Sequence, residues 1–232
     1  DGSIYITGET DGNLGGQINT GYYSSAFISK YFPDGTKDWT RLFGTPNTDI
    51  AKAITTGSDG SIYITGETNG NLGGQINSGY SDAFIIKFSA RGEKQWTKLL
   101  GSSFDESGNS ITTGSDGSIY ISGYTNGDLD GLINSGSRDT FISKFSPDGT
   151  KDWTRLLGSN YRDEGNALTT GSDGSIYISG YTSGDAFISK YFPDGTKDWT
   201  RLLGSSAYDS GYALTTGLDG SIYIAGETTG DL

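Results

Sequence analysis

Hydrophobic and polar residues alternate along this chain in short runs. In "SIYITGE", Ile4 and Ile6 alternate with Tyr5 and Thr7, the two-residue period of a β-strand. "AFISKYF", "KDWTRLF" and "AKAITTGS" follow, and they return further on as "AFIIKFS", "KQWTKLL" and "NSITTGS". Alanine and leucine gather into no stripe of 3.6-residue period, so no helix of useful length is predicted.

The phrase that opens the chain begins at residues 1, 59, 116, 173 and 219. It divides the sequence into units 1–58, 59–115, 116–172 and 173–218, with a partial copy at 219–232. Asp59-Gly60 stands between two of the strand-like runs and Asp34-Gly35 between two more. Asp-Gly in that setting predicts type I′ hairpins, which need positive φ at both central residues. A unit of about 57 residues is therefore a four-stranded antiparallel sheet, the size of a β-propeller blade.

The fold class expected is all-β: a propeller of four blades plus a partial repeat. "AKAITTGS" suits the crowded inner position, because Ala and Thr are small. "KDWTRLF" suits the outer edge, where Lys and Arg guard against stray pairing. The chain then starts at the second strand of a blade, and Ala213–Thr216 would supply the missing strand if four blades close. Residues 219–232 are surplus to that ring, which favours a segment of a longer array; an open, solenoid-like stack is the remaining alternative.

Composition narrows the function. The sequence has 38 Gly, 4 Pro and 32% hydrophobic residues, which fits thin sheets joined by many turns. A net charge of −12 removes the basic footprint of nucleic-acid binding and fits either solubility or oxygen-rich Ca²⁺ sites. The absence of Cys, His and Met removes the usual ligands of zinc, haem and iron–sulfur clusters and leaves no redox clue to compartment. It also suggests that a natural start lies elsewhere. No apolar run approaches the roughly 20 residues that span a bilayer.

Several residues are candidates for chemistry. Asn126, Asp128 and Asp130 precede Gly131 with the spacing of a short calcium loop, although Ser137 stands where a twelfth-position Glu belongs. A Gly/Asn-rich surface turn is the alternative, since Gly15 and Gly73 occupy the place of Asp130 in the first two units. Asp49, Asp105, Asp163 and Asp209 recur before the "AITT" strand, either as turn residues accepting backbone N–H groups or as one metal ligand per blade. Trp39, Trp96, Trp153 and Trp199 occur once per unit and are expected to pack blade against blade. Tyr80, Tyr161, Tyr208 and Tyr212 fall in variable loops that could form a shallow sugar-binding surface. The fourth unit jumps from Thr182 to Asp185, so the blade does not need its long loop, and a dispensable loop is free to carry function.

The sequence resembles the bacterial SBBP-type β-propeller repeat. The resemblance rests on "DAFIIKF" at Asp82–Phe88, the four tryptophans, "LLGSS" at Leu99–Ser103 and "DGSIYITGET" itself, and it extends over the whole chain. It implies a place in large, repetitive bacterial proteins that are surface-exposed or secreted, sometimes near calcium-binding repeats. Near-identical units leave no unique centre for catalysis, so the expectation is a non-enzymatic structural or adhesive protein, Ca²⁺-stabilised in one version. Its partners would be other copies of itself or surface components. A multivalent glycan- or protein-binding module is the alternative.

Overall fold

The computed structural model describes residues 2–231; Asp1 and Leu232, the outer ends of the first and last sequence units, lie outside the described residues. Every regular element described is a strand, and every strand pairing described is antiparallel. No helix among the described residues is long and apolar enough to cross a membrane.

The first sheet has three strands, β1 (Ile4–Thr10), β2 (Ser25–Tyr31) and β3 (Lys37–Phe43). Three four-stranded sheets follow in simple meander order. They are β4 (Asp49–Thr56) to β7 (Lys94–Leu100) through β5 (Ile62–Thr68) and β6 (Asp82–Phe88), then β8 (Glu106–Thr113), β9 (Ile119–Thr125), β10 (Asp139–Phe145) and β11 (Lys151–Leu157), then β12 (Asp163–Thr170), β13 (Ile176–Thr182), β14 (Asp185–Tyr191) and β15 (Lys197–Leu203). A two-stranded sheet, β16 (Asp209–Thr216) and β17 (Ile222–Thr228), ends the series. Each sheet is open, and every sheet after the first takes its first strand from the sequence unit before it.

The chain divides into two compact units, with the boundary between Gly108 and Asn109. In the first, Ile28, Ile62, Ile64, Phe84 and Ile86 make a continuous core. In the second, Tyr120, Ile142, Ile176, Ile178 and Phe187 do the same. The middle strands are buried on both faces, as β5 shows: Ile62 and Ile64 fill one side while Tyr63 and Thr65 are buried on the other. Each such Ile or Phe contributes about 1.5–3 kcal/mol through removal from water.

The first strands are linked across neighbouring sheets by a residue set out on a β-bulge. In the second unit Asn166, skipped between Gly165 and Ala167 in the β12–β13 register, donates from Nδ2 to the Gly211 carbonyl at 3.1 Å. Asn109 makes the same bond to Gly165 at 3.1 Å. Lys52 takes this bulge place in the first unit and reaches Ser107 Oγ at 2.8 Å. Within each unit the small-residue strands of successive sheets are thus in contact, and the "KDWTRLL" strands form the opposite edges of their sheets.

The hairpin turns correct one expectation. Only the glycine has positive φ, at 77° for Gly60 and 83° for Gly35; the aspartates do not. The Gly57 N–H donates to the Ser61 carbonyl at 2.8 Å, and Gly60 N–H donates to the Gly57 carbonyl at 3.0 Å. The connection is a three-residue loop, a type I turn followed by a left-handed glycine, instead of a two-residue type I′ turn. Asp59 then accepts the Ser61 N–H at 2.9 Å and the Ser61 hydroxyl at 2.8 Å, and these bonds hold its carboxyl below the usual carboxylate range.

Candidate functional site

The acids that precede the first strands are structural acceptors. Asp49 is fully buried and takes the Thr45 N–H at 2.6 Å, the Thr45 hydroxyl at 3.0 Å and the Thr68 hydroxyl. Asp163 takes the Ser159 N–H at 2.7 Å and the Thr182 hydroxyl, and Asp209 takes the Ser205 N–H at 2.7 Å. In the third copy this role belongs to Glu106, which accepts the Ser102 N–H and hydroxyl at 2.5 and 2.6 Å. Asp105 instead lies one residue earlier, in a parallel bridge with Ser81. Counting back two residues from Gly108, Gly165 and Gly211 would have placed the acid correctly.

The residues with calcium-loop spacing do not converge. Asn126 Oδ1 accepts from Arg138 Nε at 3.0 Å, while Asp128 Oδ1 accepts the Asn134 N–H at 2.9 Å. Asn13 and Asn71 make the same bond as Asp128 in the first two loops, at 3.0 Å each, so Asp128 is a loop staple. Asp130, at a left-handed φ of 55°, turns across the sheet to the Lys151 ammonium and the Thr154 hydroxyl. Among the described residues no three or more His, Cys, Asp or Glu side chains come together as a metal site. Asp128 and Asp130 are each committed to a protein donor, and in different directions.

A further buried set went unnoticed in the sequence. Asp82 and Asp139 open β6 and β10 with their side chains sealed from water. Asp82 Oδ2 accepts the Ser78 N–H at 3.0 Å, and Asp139 Oδ2 accepts the Ser135 N–H at 3.0 Å. The other oxygen of each lacks a hydrogen-bond partner. Burial raises the Asp82 carboxyl above its ordinary value, and does the same at Asp49 despite the donors around it.

The tryptophans stand in one repeated setting. Trp39, Trp96, Trp153 and Trp199 each meet a tyrosine of their own sheet, Tyr5, Tyr63, Tyr120 or Tyr177, at ring separations of 6.3, 6.1, 6.1 and 6.2 Å. Trp39 also lies over Gly92, where a Cβ would come within 2.9 Å of the indole. Trp153 Nε1 donates to the Pro193 carbonyl at 3.2 Å and covers Gly195 in the same way. Within each compact unit a tryptophan thus ties one sheet to the next hairpin. The turn keeps its glycine even where Arg91 replaces the aspartate, because both φ and the indole require it.

The repeats depart from one another at one place in the second unit. Where β1, β5 and β17 carry Glu9, Glu67 and Glu227, β9 and β13 carry Tyr124 and Tyr181. The Arg138 guanidinium stacks 3.5 Å over Tyr124, and Arg162 lies 5.6 Å over Tyr181. Both arginines reach the same carboxylate, Glu164, at 3.0 and 2.8 Å. Tyr181 packs tilted against Tyr208 at 5.5 Å, and burial pushes its phenol up to about 12, so it stays a neutral hydroxyl. The long loop missing from the fourth repeat is replaced by Ser183-Gly184 in left-handed conformation, at φ 52° and 97°.

That short turn helps border a shallow cleft of about 620 Å³, lined also by Ser137, Asn160, Tyr161, Arg162, Tyr181 and Tyr208. A neighbouring hollow shares Arg162, Tyr181 and Tyr208 and adds Glu164, Asn166 and Tyr212. Tyr161, Tyr208 and Tyr212 are therefore brought near one another, Tyr212 from strand β16 and not from a loop as expected, while Tyr80 stands exposed on its own loop in the first unit. The arginines and Glu164 were missed; the exchange of "ITGET" for "ISGYT" was the available signal. Flat rings, amide and hydroxyl groups and a permanent cation are groups that bind and orient a ligand.

Comparison with known proteins agrees with the sheet pattern. The chain is 25% identical over 206 residues to the regulatory protein FlaEY of Caulobacter vibrioides, covering 77% of this chain and 21% of that protein. It is 28% identical over 205 residues to an uncharacterized WD repeat-containing protein of Acanthamoeba polyphaga mimivirus, covering 74% and 15%. The chain thus spans less than a quarter of the length of these curated relatives. Among solved structures, a protein of unknown function from Bacteroides caccae superposes with a TM-score of 0.55 at 9% identity, over 86% of this chain and 61% of that one. The polysaccharide lyase Uly1 superposes with a TM-score of 0.54 at 13% identity, over 99% and 53%. At such identities the likeness is one of fold. The SBBP sequence family, described as a beta-propeller repeat, matches residues 38–73, 95–130, 152–188 and 198–232. Each match runs from the last strand of one sheet through the first two of the next, includes a tryptophan and the acid acceptor, and together they take in more than half of the residues: the chain belongs to the SBBP beta-propeller repeat family.

Proposed function

We propose that this chain is a non-enzymatic propeller module of a bacterial cell-surface or secreted assembly, whose sheets serve as blades and whose irregular loops hold a binding cleft. The observation that carries this reading is the division of labour among residues. Positions shared by all repeats, such as the strand-start acids and the tryptophan–tyrosine pairs, are consumed by backbone and packing. Positions that break the repeat gather at Arg138, Arg162, Glu164, Tyr181 and Tyr208. A repetitive scaffold with one differentiated surface suits structural attachment or adhesion, with surface components or further copies as partners.

The test is accessibility in the producing cell. A membrane-impermeant amine label applied to intact cells should modify the full-length protein at its exposed lysines. Labelling only after lysis would refute a surface or secreted role.

A further inference from the structure

We infer that the cleft of the second unit accepts a saccharide bearing an anionic substituent, a carboxylate or a sulfate, with Arg162 reading the charge. This rests on the cleft being the module's binding surface and names what it binds. Two guanidinium groups, Arg138 and Arg162, converge on one carboxylate, Glu164, so the cluster carries one positive charge in excess. The two arginines are held differently. Arg138 is anchored on three sides, by Asn126, by the Tyr124 ring and by Glu164, and its side chain is 18% exposed. The Arg162 side chain is 56% exposed; Nη2 bonds Glu164 and the Tyr181 ring supports one face. A guanidinium presents five N–H donors in a planar fork that matches a carboxylate or sulfate, so the exposed edge of Arg162 suits an anion.

The surroundings favour a sugar ring over a peptide. Tyr161 in the cleft is 69% exposed and gives a flat face on which the C–H side of a pyranose can lie; Tyr212, 51% exposed in the neighbouring hollow with its hydroxyl donated to Glu227 at 2.5 Å, extends that apolar surface. Asn160, Ser137 and Ser183 supply amide and hydroxyl groups of the kind that pair with ring hydroxyls. The cleft is shallow and offers no deep apolar socket for a peptide side chain. The chain's net charge of −12 repels polyanions at a distance, so retention of one reports a local contact rather than general attraction.

Affinity electrophoresis of the whole chain tests this, in native gels cast with polygalacturonate, dextran sulfate, neutral dextran or poly-glutamate. The expected result is retardation by the first two alone. Arg162→Gln should weaken the apparent Kd roughly 10- to 100-fold, the loss of a charge-assisted contact. Arg162→Lys should retain part of the binding, Tyr161→Ala should weaken it, and Arg91→Gln, an exposed charge in the first unit, should leave it unchanged. Circular-dichroism melts confirm that each variant is folded. Retardation that persists in the folded Arg162→Gln variant overturns the inference. Equal retardation by neutral dextran, lost in Tyr161→Ala, overturns the anionic class while leaving the cleft as a saccharide surface. Retardation by poly-glutamate alone makes the partner an acidic polypeptide, and retardation by none of the four removes the saccharide reading altogether.

Discussion

Gly101→Ala is the most demanding test of how the buried acids shape the repeat. Gly101 follows β7 and lies against Asp82. A Cβ added there would stand 2.5 Å from Asp82 Oδ2 and nearer still to Oδ1, whereas real Cβ atoms essentially never come within 3.0 Å of a neighbour. The carboxylate cannot swing into solvent, because Asp82 is fully buried and tied to the Ser78 N–H. Overpacking of this kind costs about 1–3 kcal/mol. Breaking the Ser78 bond while the carboxylate stays buried adds about 1–3 kcal/mol. A total of roughly 2–6 kcal/mol is a large share of the 5–15 kcal/mol typical of a folded domain. The first sheet suggests the rescue: it carries Ser25 where β6 carries Asp82, facing Gly44. In Asp82→Ser the carboxylate clash is removed, since a Cβ on Gly44 stands 3.3 Å from Ser25 Oγ, so the double variant should recover about 1–3 kcal/mol of the Gly101→Ala loss. Urea denaturation followed by tryptophan fluorescence and circular dichroism measures all four corners of this cycle. A Gly101→Ala cost under about 0.5 kcal/mol, or strict additivity with Asp82→Ser, would refute the steric account.

Three further outcomes are expected. Gly92→Ala combines a φ of +75° with a Cβ 2.9 Å from the Trp39 indole and should cost about 1–3 kcal/mol in urea midpoints, while Arg91→Asp in the same turn stays neutral. Asp49 and Asp82 have carboxyls raised by burial, so the folded state binds their protons more tightly than the unfolded chain, and their ionisation opposes folding at neutral pH. Their share of stability grows as pH falls through the raised values toward 3.8, and Asp82→Asn should be at least as stable as the parent at pH 7, with the difference closing as Asp82 takes up its proton; a strongly destabilised Asn variant at pH 7 counts against this. Asp130→Gly restores the residue of the first two loops, so its melting temperature should fall by no more than about 1 kcal/mol would produce, and chelators should move neither variant nor parent.

The strands and their order were legible because alternation and a repeated period report directly on a sheet face. Turn type was less so: "Asp-Gly" signals a hairpin, but loop length is set by the closing pair, Gly57 with Ser61, which lies outside the dipeptide. The acid acceptors were legible as a class and misplaced by one residue at Asp105, since "FDE" offers two acids and only the strand register selects Glu106. The spacing at Asn126, Asp128 and Asp130 suggested one site, but a left-handed backbone at Asp130 turned its carboxylate away from the others. The Tyr–Arg cleft was legible only in fragments. Its members come from three successive sheets, and no local pattern states that Arg138 and Arg162 share Glu164.

The offset between sequence unit and sheet has a consequence for how such a gene can grow. Each sheet after the first is stitched from the end of one unit and the start of the next, so a break at any point of the 57-residue period falls within the same kind of seam. Unequal crossing-over between two copies then rejoins matching strands wherever it occurs, and whole sheets are gained or lost without a misfit. The same phase-tolerance lets a loop shrink, as between Thr182 and Asp185, while the ladder on either side is preserved. Recombination can thus vary the surface loops at little cost to the scaffold that carries them.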